Sequence, residues 1–328
     1  MYFIGKEKFE VIKKSKKLSQ IEKAEIISSF CRLNTLTTIK NAGSGHIGSS
    51  MSAMDLFVWV NHFLIKEKKK QIKLGLKRDY FFSSKGHDVP GFYNVLYSLG
   101  IIQRSKIFKL RRLNGLDGHP DVRIPGIEAN TGSLGMGISK AKGIAFAKKL
   151  LKLEGLVIVL TGDGEFQEGQ IYETLQTTSS QKINNIIVII DHNKIQSSRF
   201  VKDIININPL KKKIENFGWH VERCNGNSFK DIKNTFSKII KIKSKPKLII
   251  ADTIKGKGIS SIEHPLVMKK NKIYNWHSGA PSNQEYEFMS NVLIHDIKRL
   301  LKKRQVNINL LKSIFQKKRI NQNSIDIH

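Results

Sequence analysis

The sequence predicts an α/β fold, a parallel β-sheet flanked by helices on both faces. Two observations carry this expectation. The segments GLVIVLTGDGE and NNIIVIIDHNK are continuous β-branched runs, and the stretch between them, EGQIYETLQTTSSQ, is amphipathic with Ile171 and Leu175 one turn apart. A strand buried on both faces needs such an unbroken apolar run, and a helix joining two of them makes a βαβ unit. A third run of the same kind, KPKLIIADTIKGKG, follows downstream. The chain has 328 residues, of which 40% are hydrophobic, enough for one large domain with an extension and a true core.

Taken in order, residues 7–40 read as one helix, with apolar positions at helical spacing and no Pro or Gly. The loop NAGSGHIGSS at 41–50 precedes SAMDLFVWVNHFL, a buried helix. RDYFFSSKGHDVPGFYNVLYSLG reads as a short strand, a Gly/His turn and a helix. The stretch LNGLDGHPDVRIPGIEANTGSLGMG carries Gly and Pro throughout, and loops of this length are uncommon unless functional. ISKAKGIAFAKKLLK is a helix leading into the βαβ unit. Residues 282–328 read as a basic helical tail behind a main domain at 1–281.

The formal charge of +30 suggests a nucleic-acid binder at first sight. The cationic residues are mostly Lys, rising together with Ile and Asn as an AT-rich coding bias would produce. The Lys runs at 68–70 and 211–213 are scattered instead of forming one arm. No nucleic-acid partner is therefore expected. Cys31 and Cys224 form no CxxC pair, which argues against a thiolate zinc site and suits a reducing cytoplasm. No apolar run has the roughly 18 residues of a spanning helix, so no membrane partner is expected.

Ligands of parallel sheets bind outside the carboxyl ends of the strands. The first long strand ends at Gly162-Asp163-Gly164 and the second at Asp191-His192-Asn193, so both ends face one crevice. A carboxylate and an amide oxygen placed there suit a hard cation, Mg²⁺ or alternatively Ca²⁺ or Mn²⁺. The flanking glycines let the backbone approach a phosphate closely.

The run GDGEFQEGQIYE…IIDHNKIQ resembles the thiamine diphosphate signature, and its QEGxxxE form is similar to transketolases. The resemblance spans most of residues 20–282 in the family's order. It takes in SGHIG at His46, KGH at His87, GHP at His119, TGSLGMG at 132–137, KGKG at Lys255 and WH at His277. It implies the diphosphate-binding domain of that family. It implies that Asp163, Asn193 and the Ile195 carbonyl bind the metal, and that Gly164, His87, His277 and Lys255 serve the diphosphate. Gly132 and Leu134 would line the cofactor's rings. His46, His119 and His277 would move protons on the sugar, work that suits neutral histidines. Glu168 would link two halves of the active site across an interface.

This sequence departs from the family at Ile47, where Pro is common, and at Ser278, which separates His277 from Gly279. Too little chain follows Pro281 for another α/β domain of roughly 100 residues or more. The resemblance thus implies a separate C-terminal subunit carrying the pyrimidine-binding domain and its activating Glu, in a heterotetramer acting on sugar phosphates. The pentose phosphate pathway is the default setting. The alternatives are a 1-deoxyxylulose-5-phosphate synthase-like or 2-oxoacid dehydrogenase α-like chain, or one that binds cofactor without catalysis.

Overall fold

The computed structural model describes residues 1–65, 68 and 72–306. In chain order the strands are β1 (Tyr80–Ser83), β2 (Val157–Gly162), β3 (Ile186–His192), β4 (Ile195–Gln196), β5 (Arg199–Phe200), β6 (His220–Asn225) and β7 (Lys247–Asp252). Five of them form one sheet in the order β1-β2-β3-β7-β6, every pairing parallel. The remaining two, β4 and β5, make a small antiparallel hairpin just past the end of β3.

Alternation along the strands builds two cores. Ile158, Leu160, Ile187, Ile189 and Ile249 enter one hydrophobic cluster with the helices Gln20–Ala42, Ile47–Trp59, Val89–Ser98 and Phe229–Ile239. Val157, Val159, Ile186, Val188, Ile190 and Ile250 enter the other, with Gly137–Leu150, Gly169–Ser180 and Leu210–Asn216. All eleven of these strand residues are at most 1% exposed, and each such side chain stabilises the fold by about 1.5–3 kcal/mol. The expected parallel sheet with helices on both faces is thus what the chain forms.

Two features differ from the sequence expectation. The helix expected over 7–40 is two helices, Lys6–Lys14 and Gln20–Ala42. Ser19 starts the second: its hydroxyl accepts the Glu22 N–H at 3.3 Å, and the Glu22 carboxylate accepts the Ser19 N–H at 2.9 Å. That reciprocal cap supplies partners for N–H groups that a helix start leaves open. The second difference is β6, whose sequence HVERCN lacks an apolar run because it is an edge strand carrying Glu222 and Arg223 outward.

The helix Asn283–Lys303 buries Tyr286, Met289, Leu293, Ile297 and Leu301 in the first cluster, packed along Gln20–Ala42. The last part of the expected tail, 307–328, lies outside the described residues. Among the described residues no helix is long and apolar enough to cross a membrane.

Candidate active site

The register pairs Gly162 with Asp191 and His192 with Asp252, so the carboxyl ends of β2, β3 and β7 lie level. Asp163 follows β2 directly and is 2% exposed. Its Oδ1 accepts the Gly164 N–H at 2.8 Å and its Oδ2 accepts the Lys194 N–H, which ties the β2 end to the loop after β3. Burial pushes this carboxyl above the usual range; His192 works against that and Asp191 adds to it. Among the described residues it forms no ion pair.

Asn193 and Ile195 share the same loop. The Asn193 Oδ1 accepts the Ile195 N–H at 3.1 Å, and its Nδ2 donates to Asp191 at 3.2 Å. The Ile195 carbonyl accepts from Lys255 Nζ at 3.1 Å. Carboxylate, amide oxygen and carbonyl thus sit on the adjoining loops after β2 and β3, and oxygen donors of this kind suit a hard divalent cation and not a soft one. Among the described residues no cluster of three or more His, Cys, Asp and Glu side chains could hold a metal.

Lys255 Nζ also reaches the Ser197 carbonyl at 3.2 Å and His277 Nδ1 at 3.3 Å. Burial pushes its pKa down to about 7, with Asp163 opposing. It lies in the turn after β7, and its N–H donates to His264 Nδ1 at 3.1 Å.

The fold brings His46, His87 and His277 into one cluster. The rings of His46, His87 and His277 lie 5.1, 5.1 and 5.5 Å apart, centroid to centroid. His46 precedes the helix Ile47–Trp59, and among the described residues its buried Nδ1 has no partner. That nitrogen could take a hydrogen bond from another group. Burial, then the positive field of Arg111, His119 and Lys255, pushes its pKa down to about 4. Burial likewise depresses His277 to about 3, with Lys255 contributing. The Nδ1 of His87 lies 2.8 Å from the Lys85 carbonyl, so it carries the proton and leaves Nε2 free.

His119 stands against the loop at Gly132, close enough to His46 to act on its charge. Its ring packs so close to Gly132 that a Cβ there would sit 2.8 Å from Cδ2. Gly132 has φ 134°, outside the range of other residues, so both space and conformation require glycine. Leu134 is 42% exposed. Glu168 is exposed at the start of Gly169–Ser180, beside Gly135 and apart from the histidines.

Sequence reasoning missed a buried ionic network below these residues. Lys85 Nζ bonds Asp191 Oδ2 at 2.5 Å and Asp88 Oδ2 at 3.3 Å. Asp191 also accepts from Ser52 at 2.6 Å and from Thr253. Burial works against the Lys85 ammonium, yet Asp191 and Asp88 outweigh it and hold its pKa at about 12. The signal was present: Lys85 sits inside the KGH motif, and a charge there, if buried, must be paired. His264 is buried and accepts the Lys255 N–H on its Nδ1.

Residues 23–267 match the family model described as the transketolase thiamine diphosphate binding domain. The chain is 35% identical over 272 residues to an apulose-4-phosphate transketolase subunit of Phocaeicola vulgatus, covering 82% of this chain and 92% of that one. Against transketolase of Homo sapiens the identity is 33% over 234 residues, 71% of this chain and 37% of the other. The crystal structure of transketolase from Campylobacter jejuni superposes with a TM-score of 0.73 at 25% identity, covering 92% of this chain and 49% of that one. This chain therefore spans about half of the solved transketolase.

Proposed function

The chain belongs to the transketolase family through its thiamine diphosphate-binding domain, and from this premise we propose that it is the diphosphate-binding subunit of a two-chain transketolase. The observation that carries the proposal is the convergence, at the carboxyl ends of parallel strands, of the Asp163, Asn193 and Ile195 oxygens with the His46, His87 and His277 rings. In this reading the three oxygens hold Mg²⁺, with Ca²⁺ or Mn²⁺ as substitutes. Gly164, His87, His277 and Lys255 surround the diphosphate.

Thiamine diphosphate, when bound, supplies the carbanion chemistry that moves a two-carbon ketol unit from a ketose phosphate to an aldose phosphate. The chain's own residues bind and move protons. Lys255 and the His87 and His277 rings offset phosphate charge. His46, His119 and His277 face the sugar, where neutral imidazoles take and return hydroxyl protons. Gly132 and Leu134 line the cofactor's rings.

A second chain completes the site. Leu134, assigned to a cofactor wall, is 42% exposed here, and Glu168 is exposed beside the same loop. The relative from Phocaeicola vulgatus is itself named as one subunit of a transketolase, and this chain matches it nearly end to end. A C-terminal subunit with the pyrimidine-binding domain would cover both residues, two copies of each chain forming a heterotetramer. The free thiols of Cys31 and Cys224 suit a cytoplasmic setting.

The cofactor site is tested by calorimetric titration of thiamine diphosphate into the full chain paired with that subunit in Mg²⁺. Asp163→Ala is expected to weaken binding at least ~100-fold, as loss of a metal-ligating carboxylate should. Equal affinity in the variant would remove Asp163 from the metal site.

A further inference from the structure

We propose that Glu165 is a positioning residue for the cofactor, the anchor that holds the loop at 132–137 against the ends of β1 and β2. The role as a cofactor residue rests on the thiamine diphosphate reading; the anchoring itself does not. The Glu165 side chain is buried, the residue being 3% exposed. Its Oε1 accepts from the Ser84 hydroxyl and from the Gly135 N–H at 3.0 Å, and its Oε2 accepts the Gly162 N–H at 3.1 Å. The three donors belong to three separate segments. Ser84 opens the turn after β1 that carries His87, Gly162 ends β2 before Asp163, and Gly135 belongs to the TGSLGMG loop. One carboxylate therefore sets the spacing of three motifs far apart in sequence.

The loop needs such an anchor. At its start the Thr131 hydroxyl donates to the Ser83 carbonyl at 2.7 Å. At its end Gly137 passes so close to Ser84 that a Cβ would lie 2.1 Å from Oγ. Between them Gly135 turns at φ 83° and exposes Leu134 on the solvent side. Here the Gly135 N–H bond to Glu165 fixes the turn, and so the height at which Gly132 and Leu134 meet a ring. A carboxylate has acceptor sites for all three donors. A glutamine has one oxygen, and its NH₂ would face an N–H.

Hydrogen exchange on the full chain tests this first. In Glu165→Gln, exchange across 131–137 is expected to rise at least tenfold while Ile186–His192 keeps its protection. Ser84→Ala, which removes one donor and leaves the carboxylate, is expected to give a smaller rise in the same segment. The second arm is the affinity for thiamine diphosphate in the complex with the C-terminal subunit, expected to fall at least tenfold in Glu165→Gln. Unchanged exchange at 131–137 overturns the assignment. So does a loss of protection spread evenly through the sheet, which would make Glu165 a general stabiliser. A wild-type complex that does not bind thiamine diphosphate would overturn the cofactor reading instead, and the exchange arm would still decide whether Glu165 anchors the loop.

Discussion

Burial holds the imidazoles of His46, His62, His87, His264 and His277 in the neutral form. A phosphate anion bound beside the site histidines would raise these low values toward the range in which an imidazole takes up and returns a proton. His62 is outside the site and isolates the energetic consequence. It lies in the π-helical turn Val60–Leu64, bonded to Ser98 at 2.8 Å. Burial, then Lys13, pushes its pKa down to about 3. The unfolded chain, with an ordinary histidine, binds a proton near pH 6.5 that the folded chain refuses until about pH 3. The stabilisation is therefore complete above pH 6.5 and is lost as pH falls through that window, by up to about 2 kcal/mol at pH 5. Thermal unfolding at pH 7 and pH 5 should show a shallower decline in His62→Asn than in the wild type; parallel declines would mean that the ring is already protonated in the fold. At this scale the motif residues were legible in the sequence because each sits in a short Gly-rich or His-containing segment of its own. The pairings of Lys85, Asp191 and Glu165 were not. Their partners lie 106 and 81 positions away, and only the fold brings them together.

Among the elements, the strands announced themselves and the helix ends did not. β2, β3 and β7 are buried on both faces and so cannot be written without a continuous apolar run. Edge strand β6 alternates buried and outward residues and reads like a loop. The break before Gln20 was encoded in Ser19 and Glu22, a capping signature that apolar periodicity alone passes over. Its worth can be measured. Ser19→Ala removes the side-chain acceptor for the Glu22 N–H and is expected to lower stability by about 1 kcal/mol in urea denaturation. The slope with denaturant should stay constant, since no core surface is lost. An unchanged midpoint would show that helix packing, and not the cap, sets this boundary. The helix it starts supports the loop that carries His46, so the cap belongs to the scaffold of the site as well as to local stability.

For the molecule as a whole, one sheet with two cores presents a row of polar groups along one edge, and that row is open. The chain spans nearly all of its Phocaeicola vulgatus relative yet about half of a solved transketolase. The apolar Leu134 and the acid Glu168 stand exposed. The general architecture and the shared level of the strand ends were legible because parallel strands place their carboxyl ends together whatever the loops contain. Which sugar enters was not, since no motif residue carries the sugar's identity. The most direct measurement co-expresses this chain with its candidate C-terminal partner and follows ketol transfer from xylulose 5-phosphate to ribose 5-phosphate, with Mg²⁺ and thiamine diphosphate. Turnover that requires both chains, and disappears in Asp163→Ala, is the expected result. Turnover by this chain alone, or full activity with Asp163→Ala, would contradict a site completed by a second polypeptide and built on this metal loop.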